Sequence, residues 1–216
     1  AAEGAEPVRE LAEVPAALAA PRVVWLMLPY GDPTQAAIDE FAPLLDPGDI
    51  IVDGGNSPLE LDIARGAALA EHGIRYLDAG TSGGVWGLEA GYCLMVGGER
   101  SAYDHVEPLL RTLAPPGHGY DYMGGHGSGH FVKMVHNGIE YGMMQAYAEG
   151  FELLDAAQWD LDLAAIADLW NQGSVVRSWL LELAADALKK DPGLEQITGY
   201  VEDTGEGRWT VEQAIA

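Results

Sequence analysis

Short, unbroken apolar runs alternate with amphipathic stretches over the first half of the chain. Residues 23–28, VVWLML, are apolar throughout and are closed by Pro29 and Gly31. A run of strand length without polar interruption predicts a strand covered on both faces, as in a parallel sheet. Asp32-Pro33-Thr34 then opens a helix expected to reach about Leu45, since proline is tolerated in a first turn. Residues 49–52 predict a second buried strand running into Asp53-Gly54-Gly55-Asn56-Ser57. Residues 58–73 read as a helix stopped by Gly73, and residues 74–80 as a third strand leading into Thr81-Ser82-Gly83-Gly84. A fourth strand is expected over 92–98 and another helix over 101–113. Ahead of these, residues 4–8 suggest a short strand and 9–20 a helix, with Pro15 badly placed inside it. Strands alternating with helices imply crossovers and a mostly parallel sheet, whose ligands bind beyond the carboxyl ends of the strands.

The period changes near Gly125. Residues 117–129 are rich in glycine and histidine and read as a connection. Beyond them the pattern is helical, over 131–157, 163–170 and 174–190. A turn at Asp191-Pro192-Gly193, a polar loop over 201–210 and the start of a last helix follow. The expected fold class is α/β followed by all-α, with domains over residues 1–124 and 125–216.

One stretch concentrates the candidate chemistry. In FVKMVHNGIEY, residues 131–141, Lys133, His136, Asn137 and Glu140 fall at i, i+3, i+4 and i+7, forming one polar stripe on a helix. Phe131, Val132, Met134, Val135 and Ile139 make its flanks apolar. A polar stripe on an otherwise apolar helix faces something buried and wet. A lysine and a carboxylate two turns apart, roughly 10 Å along the axis, can converge on one small molecule as base and acid. The same pattern also fits Lys133 and Glu140 at the surface, with His136 and Asn137 satisfied at a helix–helix contact.

Composition narrows the function classes. A 48% hydrophobic content supports a sizeable core, and 34 acidic against 11 basic residues give a net charge of −23. That argues against nucleic acid and anionic membranes, which require basic patches. The single cysteine, Cys93, rules out an internal disulfide and fits a reducing, cytoplasmic setting. No apolar run approaches a membrane span, and the N-terminus does not read as a signal peptide. Because the chain starts at Ala1 and stops inside an apparent helix, both ends are expected to be cut.

Smaller constellations are ambiguous alone. Ser82-Gly83-Gly84 offers a hydroxyl and two open amides to a carboxylate or phosphate, and is equally an ordinary strand exit. Asn56 after two glycines is a turn residue before it is a ligand. No carboxylate or cysteine completes a metal-ligand spacing with His118, His126, His130 and His136, so no metal is expected. Ser82 lacks the Gly-x-Ser-x-Gly elbow of an acyl-transfer nucleophile. No Gly-x-Gly-x-x-Gly phosphate loop occurs.

In order and number, DGGNS, then LDAGTSGGVWGLEAGYCLMVGG, then GSGHFVKMVHNGIEYGMMQAYAEGFELL closely resemble the decarboxylating 6-phosphogluconate dehydrogenases. VWGLE and GYCLMVGG resemble the shorter bacterial form. The resemblance covers essentially the whole chain. It implies a partial Rossmann-type nicotinamide-binding sheet, then a helical domain led by the long helix, which pairs with a twin in a homodimer. The implied reaction, in the pentose phosphate pathway, oxidises 6-phosphogluconate at C3 with hydride transfer to NADP or NAD. Loss of CO2 then gives ribulose 5-phosphate. On the family pattern Lys133 takes and returns the C3 hydroxyl proton, and Glu140 protonates C1 of the enediol. His136 and Asn137 would hold sugar hydroxyls, Ser82, Gly83 and Gly84 the carboxylate, and Tyr141 the phosphate end. Asn56 would lie between substrate and cofactor, with Leu28 and Pro29 on the cofactor side.

The resemblance also sets expectations about what is missing. The family opens with a strand, a glycine loop and a second strand, so this chain is expected to begin after them. It is expected to stop before the basic groups and histidine that clamp the substrate phosphate. Many members carry a lysine and a threonine where this chain has Gly205-Glu206-Gly207-Arg208; Arg208 suits a phosphate and Glu206 does not. Two rivals stand beside this reading. A 3-hydroxyisobutyrate-type dehydrogenase shares the fold, the Ser-Gly-Gly turn and the lysine, but pairs asparagines where this chain has His136-Asn137-Gly138-Ile139-Glu140. A non-catalytic module would keep only the helical interaction surface.

Overall fold

Alternate residues of the first strands feed two different layers. The computed structural model describes residues 4–216. Its strands β1 (Val23–Leu26), β2 (Ile50–Asp53), β3 (Arg75–Ser82), β4 (Cys93–Gly98) and β5 (Tyr120–Gly124) form one sheet in that order. The pairs β1/β2, β2/β3 and β4/β5 are parallel, and β3/β4 is antiparallel. The helices are α1 (Val14–Ala17), α2 (Asp32–Phe41), α3 (Leu59–Ala70), α4 (Gly87–Ala90), α5 (Arg100–Leu113), α6 (Ser128–Asp155), α7 (Leu163–Trp170), α8 (Trp179–Lys190) and α9 (Glu206–Ile215). The chain forms two compact units, Ala1–Val135 and His136–Ala216, so α6 contributes its first turns to one and the remainder to the other.

In the first unit Val24, Ile51 and Tyr76 are register partners on one face of the sheet. They pack with Ala37, Ile38 and Phe41 of α2 and Leu69 of α3. Ile50, Val52, Leu77, Leu94 and Val96 face the other way and pack on Ala102, Val106 and Leu110 of α5. Both faces are covered, which is why the strands read as apolar runs. Two positions beyond the Val24–Ile51–Tyr76 row, the register brings Leu26, Asp53, Asp78 and Gly97 side by side. The apolar face thus gives way to two fully buried carboxylates, Asp53 at the end of β2 and Asp78 midway along β3. At the other end Arg22 closes the sheet, donating to Asp46 at 2.7 Å and Asp49 at 2.8 Å, while Arg75 donates to the Gly48 carbonyl.

In the second unit α7 and α8 pack through Ala167, Leu181, Ala185 and Leu188 against Tyr147 and Phe151 of α6. Asp162 caps α7 and Ser178 caps α8, each accepting from an amide three residues on. The α9 helix lies on α6 where Gly138 meets Thr210: a methyl at 138 would stand 2.6 Å from Thr210 Cγ2. Gly207 likewise abuts the Tyr141 ring.

Several sequence expectations are corrected. Residues 4–8 form no strand. The helix expected over 9–20 shrinks to a 3-10 turn, Leu11–Glu13, and α1, because Pro15 lacks an amide proton and fits only a first turn. The connection over 117–129 contains β5, and the polar loop over 201–210 already contains the start of α9. Helix α8 begins at Trp179, after its Ser178 cap, rather than at 174. Among the described residues, no helix is long and apolar enough to cross a membrane.

Candidate active site

Three alternate residues of β3 hold three successive points at the start of α6. Gly127, just ahead of that helix, has no side chain with which to cap it. Asp78 supplies the cap instead: the Gly127 and His130 amides donate to its carboxylate at 2.8 and 3.0 Å. These are the two bonds a capping box makes, here made by one carboxylate from a strand. Two residues earlier, the Tyr76 hydroxyl donates to Asp62 at 2.8 Å, and the other Asp62 oxygen lies 2.8 Å from His130 Nδ1. Two residues later, Gly80 receives the lysine stem; any side chain at 80 would collide with Lys133 Cβ. Gly129 packs equally close against backbone atoms of Asp78, Met95 and Gly97.

The electrostatics follow from burial. Asp53 accepts from Ser57 at 2.7 Å, Arg65 at 3.0 Å and the Gly55 amide at 3.0 Å. Burial pushes the Asp78 carboxyl above its ordinary range, with His130 and the two amides opposing. Burial also pushes up the Tyr76 hydroxyl, beside Asp62 and Asp53. For His130 burial acts downward, but the hydrogen bond to Asp62 and the charges of Asp62, Asp53 and Asp78 outweigh it, and its pKa is raised. Asp53, Asp62 and His130 offer ligand atoms within 4.8 Å of one another, a metal-like trio. Arg65, 3.0 Å from Asp53 and 3.8 Å from Asp62, supplies positive charge among them.

On α6, Lys133 and Asn137 are both only 6% exposed, whereas Phe131 is 42% and Ile139 61% exposed. In this part of the helix the covered side carries Lys133 and Asn137 together with Met134, and the open side carries Phe131 and Ile139. His136 and Glu140 are half-buried; His136 Nδ1 lies 3.0 Å from Asn137 Oδ1 and 3.7 Å from Glu140 Oε2. Tyr141 is exposed and rests against Gly207. Arg208 is paired with Asp203 at 3.0 Å and Glu212 at 3.1 Å.

Ser82 closes β3 two residues beyond Gly80, with Gly83 and Gly84 following at positive φ. Leu28 and Pro29, at the exposed exit of β1, stand beside the turn after β2, where a methyl at Gly55 would be 2.7 Å from the Leu28 carbonyl oxygen. Asn56, which follows Gly55, is half-buried. Sequence reasoning missed Asp53, Asp62, Arg65, Tyr76 and Asp78. The only trace of them was a carboxylate ending each of two apolar runs.

The family model described as the NAD-binding domain of 6-phosphogluconate dehydrogenase matches residues 1–124, and that of the enzyme's C-terminal domain matches residues 129–216. The chain belongs to the 6-phosphogluconate dehydrogenase family. It is 50% identical over 214 residues to a provisionally named 6-phosphogluconate dehydrogenase of Bacillus subtilis (strain 168), covering 99% of this chain and 71% of that protein. It is 46% identical over 213 residues to the NAD(+)-dependent, decarboxylating 6-phosphogluconate dehydrogenase of Haloferax volcanii, covering 98% and 70%. Among solved structures, Plasmodium falciparum 6-phosphogluconate dehydrogenase superimposes with a TM-score of 0.86 at 32% identity, covering 95% of this chain and 46% of that one. The α/β sheet followed by a helical unit is the architecture this membership implies.

Proposed function

We propose that this chain carries the reaction centre for oxidative decarboxylation of 6-phosphogluconate to ribulose 5-phosphate and CO2, coupled to reduction of NADP or NAD. The observation that carries the reading is Lys133. It is a buried lysine seated on Gly80, two residues before Ser82, on a helix that repeats polar groups at Asn137 and Glu140. When bound, the nicotinamide supplies the hydride acceptor.

The roles of the protein groups follow from their chemistry. Lys133, neutral, takes the proton of the C3 hydroxyl as hydride leaves C3, which makes a ketone. The C3 carbonyl is then the electron sink: the bond to the carboxylate breaks, CO2 departs, and the Lys133 ammonium returns its proton to the C3 oxygen. Glu140 protonates C1 of the resulting enediol. Ser82, Gly83 and Gly84 receive the substrate carboxylate, His136 and Asn137 the hydroxyls, and Tyr141 the phosphate end. Asn56 lies between substrate and cofactor, with Leu28 and Pro29 on the cofactor side. This chemistry needs Lys133 in its neutral form. The protein acts in the cytoplasm, an assignment the lack of any disulfide partner for Cys93 supports. The apolar open side of α6 supports a homodimer through that helix.

The test is absorbance of reduced nicotinamide on adding 6-phosphogluconate, with NADP and NAD tried separately and CO2 release followed. Lys133→Arg keeps the charge but cannot become a neutral amine. We expect it to lose about 10²-fold or more in kcat, the range a general base contributes. Near-normal turnover by that variant would sink the role.

A further inference from the structure

We infer that Asp78, backed by the His130–Asp62 pair, is the positioning group for Lys133: it sets where α6 starts and so where the lysine stands over Gly80. The inference rests on the reading of Lys133 as the base. Its ground is the period of one strand. Tyr76, Asp78 and Gly80 share a face of β3 and lie all but fully buried or in close contact with α6. Through Asp62, Tyr76 holds the His130 ring; Asp78 holds the amides of Gly127 and His130; Gly80 admits the Lys133 stem. His130 and Lys133 are three residues apart and project to the same side of the helix. A helix starting one residue later would turn its side chains by about 100° and move them about 1.5 Å along the axis. That is enough to carry the amine away from the seat at Gly80.

Gly127 and Gly129 have no side chains, and Gly129 must remain bare to approach the backbone of β3 and β4. The two amides on Asp78 are orphan donors of a helix start, so removing their acceptor frees the first turn to re-register. Displacements on this scale in a group that moves a proton cost orders of magnitude in rate while leaving binding contacts in place.

The experiment uses the full chain and two variants, Asp78→Asn and Asp62→Asn, with near-UV circular dichroism to establish folding. Trace acetylation with acetic anhydride across a pH series, read by peptide mass spectrometry, gives the reactivity profile of each amine. The chain has three lysines, and Lys189 and Lys190 are references within the same molecule. In folded Asp78→Asn we expect Lys133 reactivity to change at least about threefold or its profile to move along the pH axis, with Lys189 and Lys190 unchanged. Turnover should fall by about ten- to a hundredfold in kcat, with KM within about threefold. Asp62→Asn should show the same signature more weakly. Folded variants whose Lys133 profile overlays that of the parent would overturn the inference. So would failure of both variants to fold, which would make the carboxylates structural. A parent that does not turn over 6-phosphogluconate would defeat the functional reading, while the labelling profile would still decide the positioning role.

Discussion

His130 faces carboxylates from three elements, Asp62 on α3, Asp53 on β2 and Asp78 on β3, with Arg65 of α3 beside them. Its pKa in the folded chain is raised above the ordinary value near 6.5. A raised histidine contributes stability that is fully present below the unfolded pKa and is lost as pH rises through the folded one. The raised Asp78 carboxyl acts in the same direction at lower pH. We expect the urea midpoint to decline as pH rises from about 6.5 into the alkaline range, and His130→Gln to flatten that slope. An unchanged slope in the variant would place the titration elsewhere. At this scale the candidate site was partly legible. Lys133, His136, Asn137 and Glu140 announce themselves because helical period projects them onto one line. Asp53 and Asp78 do not, because a carboxylate after an apolar run reads as the beginning of a turn. Only strand register places them next to one another, and register is a property of pairs of segments.

Elements were legible where local pattern and burial agree. Strands β1 to β4, and helices α2, α3, α5 and α7, lie within a few residues of where their apolar periods put them. The mostly parallel sheet also matches expectation, with β3/β4 the exception. Strand β5 escaped notice because its five residues, YDYMG, sit among glycines. The last helix, α9, was expected but begins earlier than its pattern suggests, because it starts on Glu206-Gly207-Arg208 and what holds it is distant in sequence: Thr210 on Gly138 and Tyr141 on Gly207. That contact can be weighed against helix propensity. Alanine normally stabilises a helix interior over glycine by about 0.8–1.0 kcal/mol. At Gly142 nothing lies within 4 Å, so Gly142→Ala should gain about that amount. At Gly138 the added methyl meets a short β-branched side chain at 2.6 Å, so Gly138→Ala should lose about 1–3 kcal/mol instead. Urea unfolding of the two variants checks this, and equal gains at both sites would mean that α9 does not pack there.

For the whole molecule, the open side of α6 is the feature without an explanation inside one chain. Phe131, Val132 and Ile139 are 42%, 36% and 61% exposed, more apolar surface along one helix than a solvated face carries. If a second copy covers it, sedimentation should give twice the 23.0 kDa chain mass, and Ile139→Lys should return the monomer. Each copy carries a net charge of −23, so added salt should tighten the association by screening repulsion. A parent that stays monomeric at all salt concentrations would remove the dimer from the proposal. The β3 cap has a consequence of another kind. Asp78 precedes the two amides it receives by 49 and 52 residues. A chain synthesised from its N-terminus therefore exposes the acceptor before either donor has been made. The ribosome lays down the aiming device first and the lysine it aims afterwards, so the helix can be born already in register.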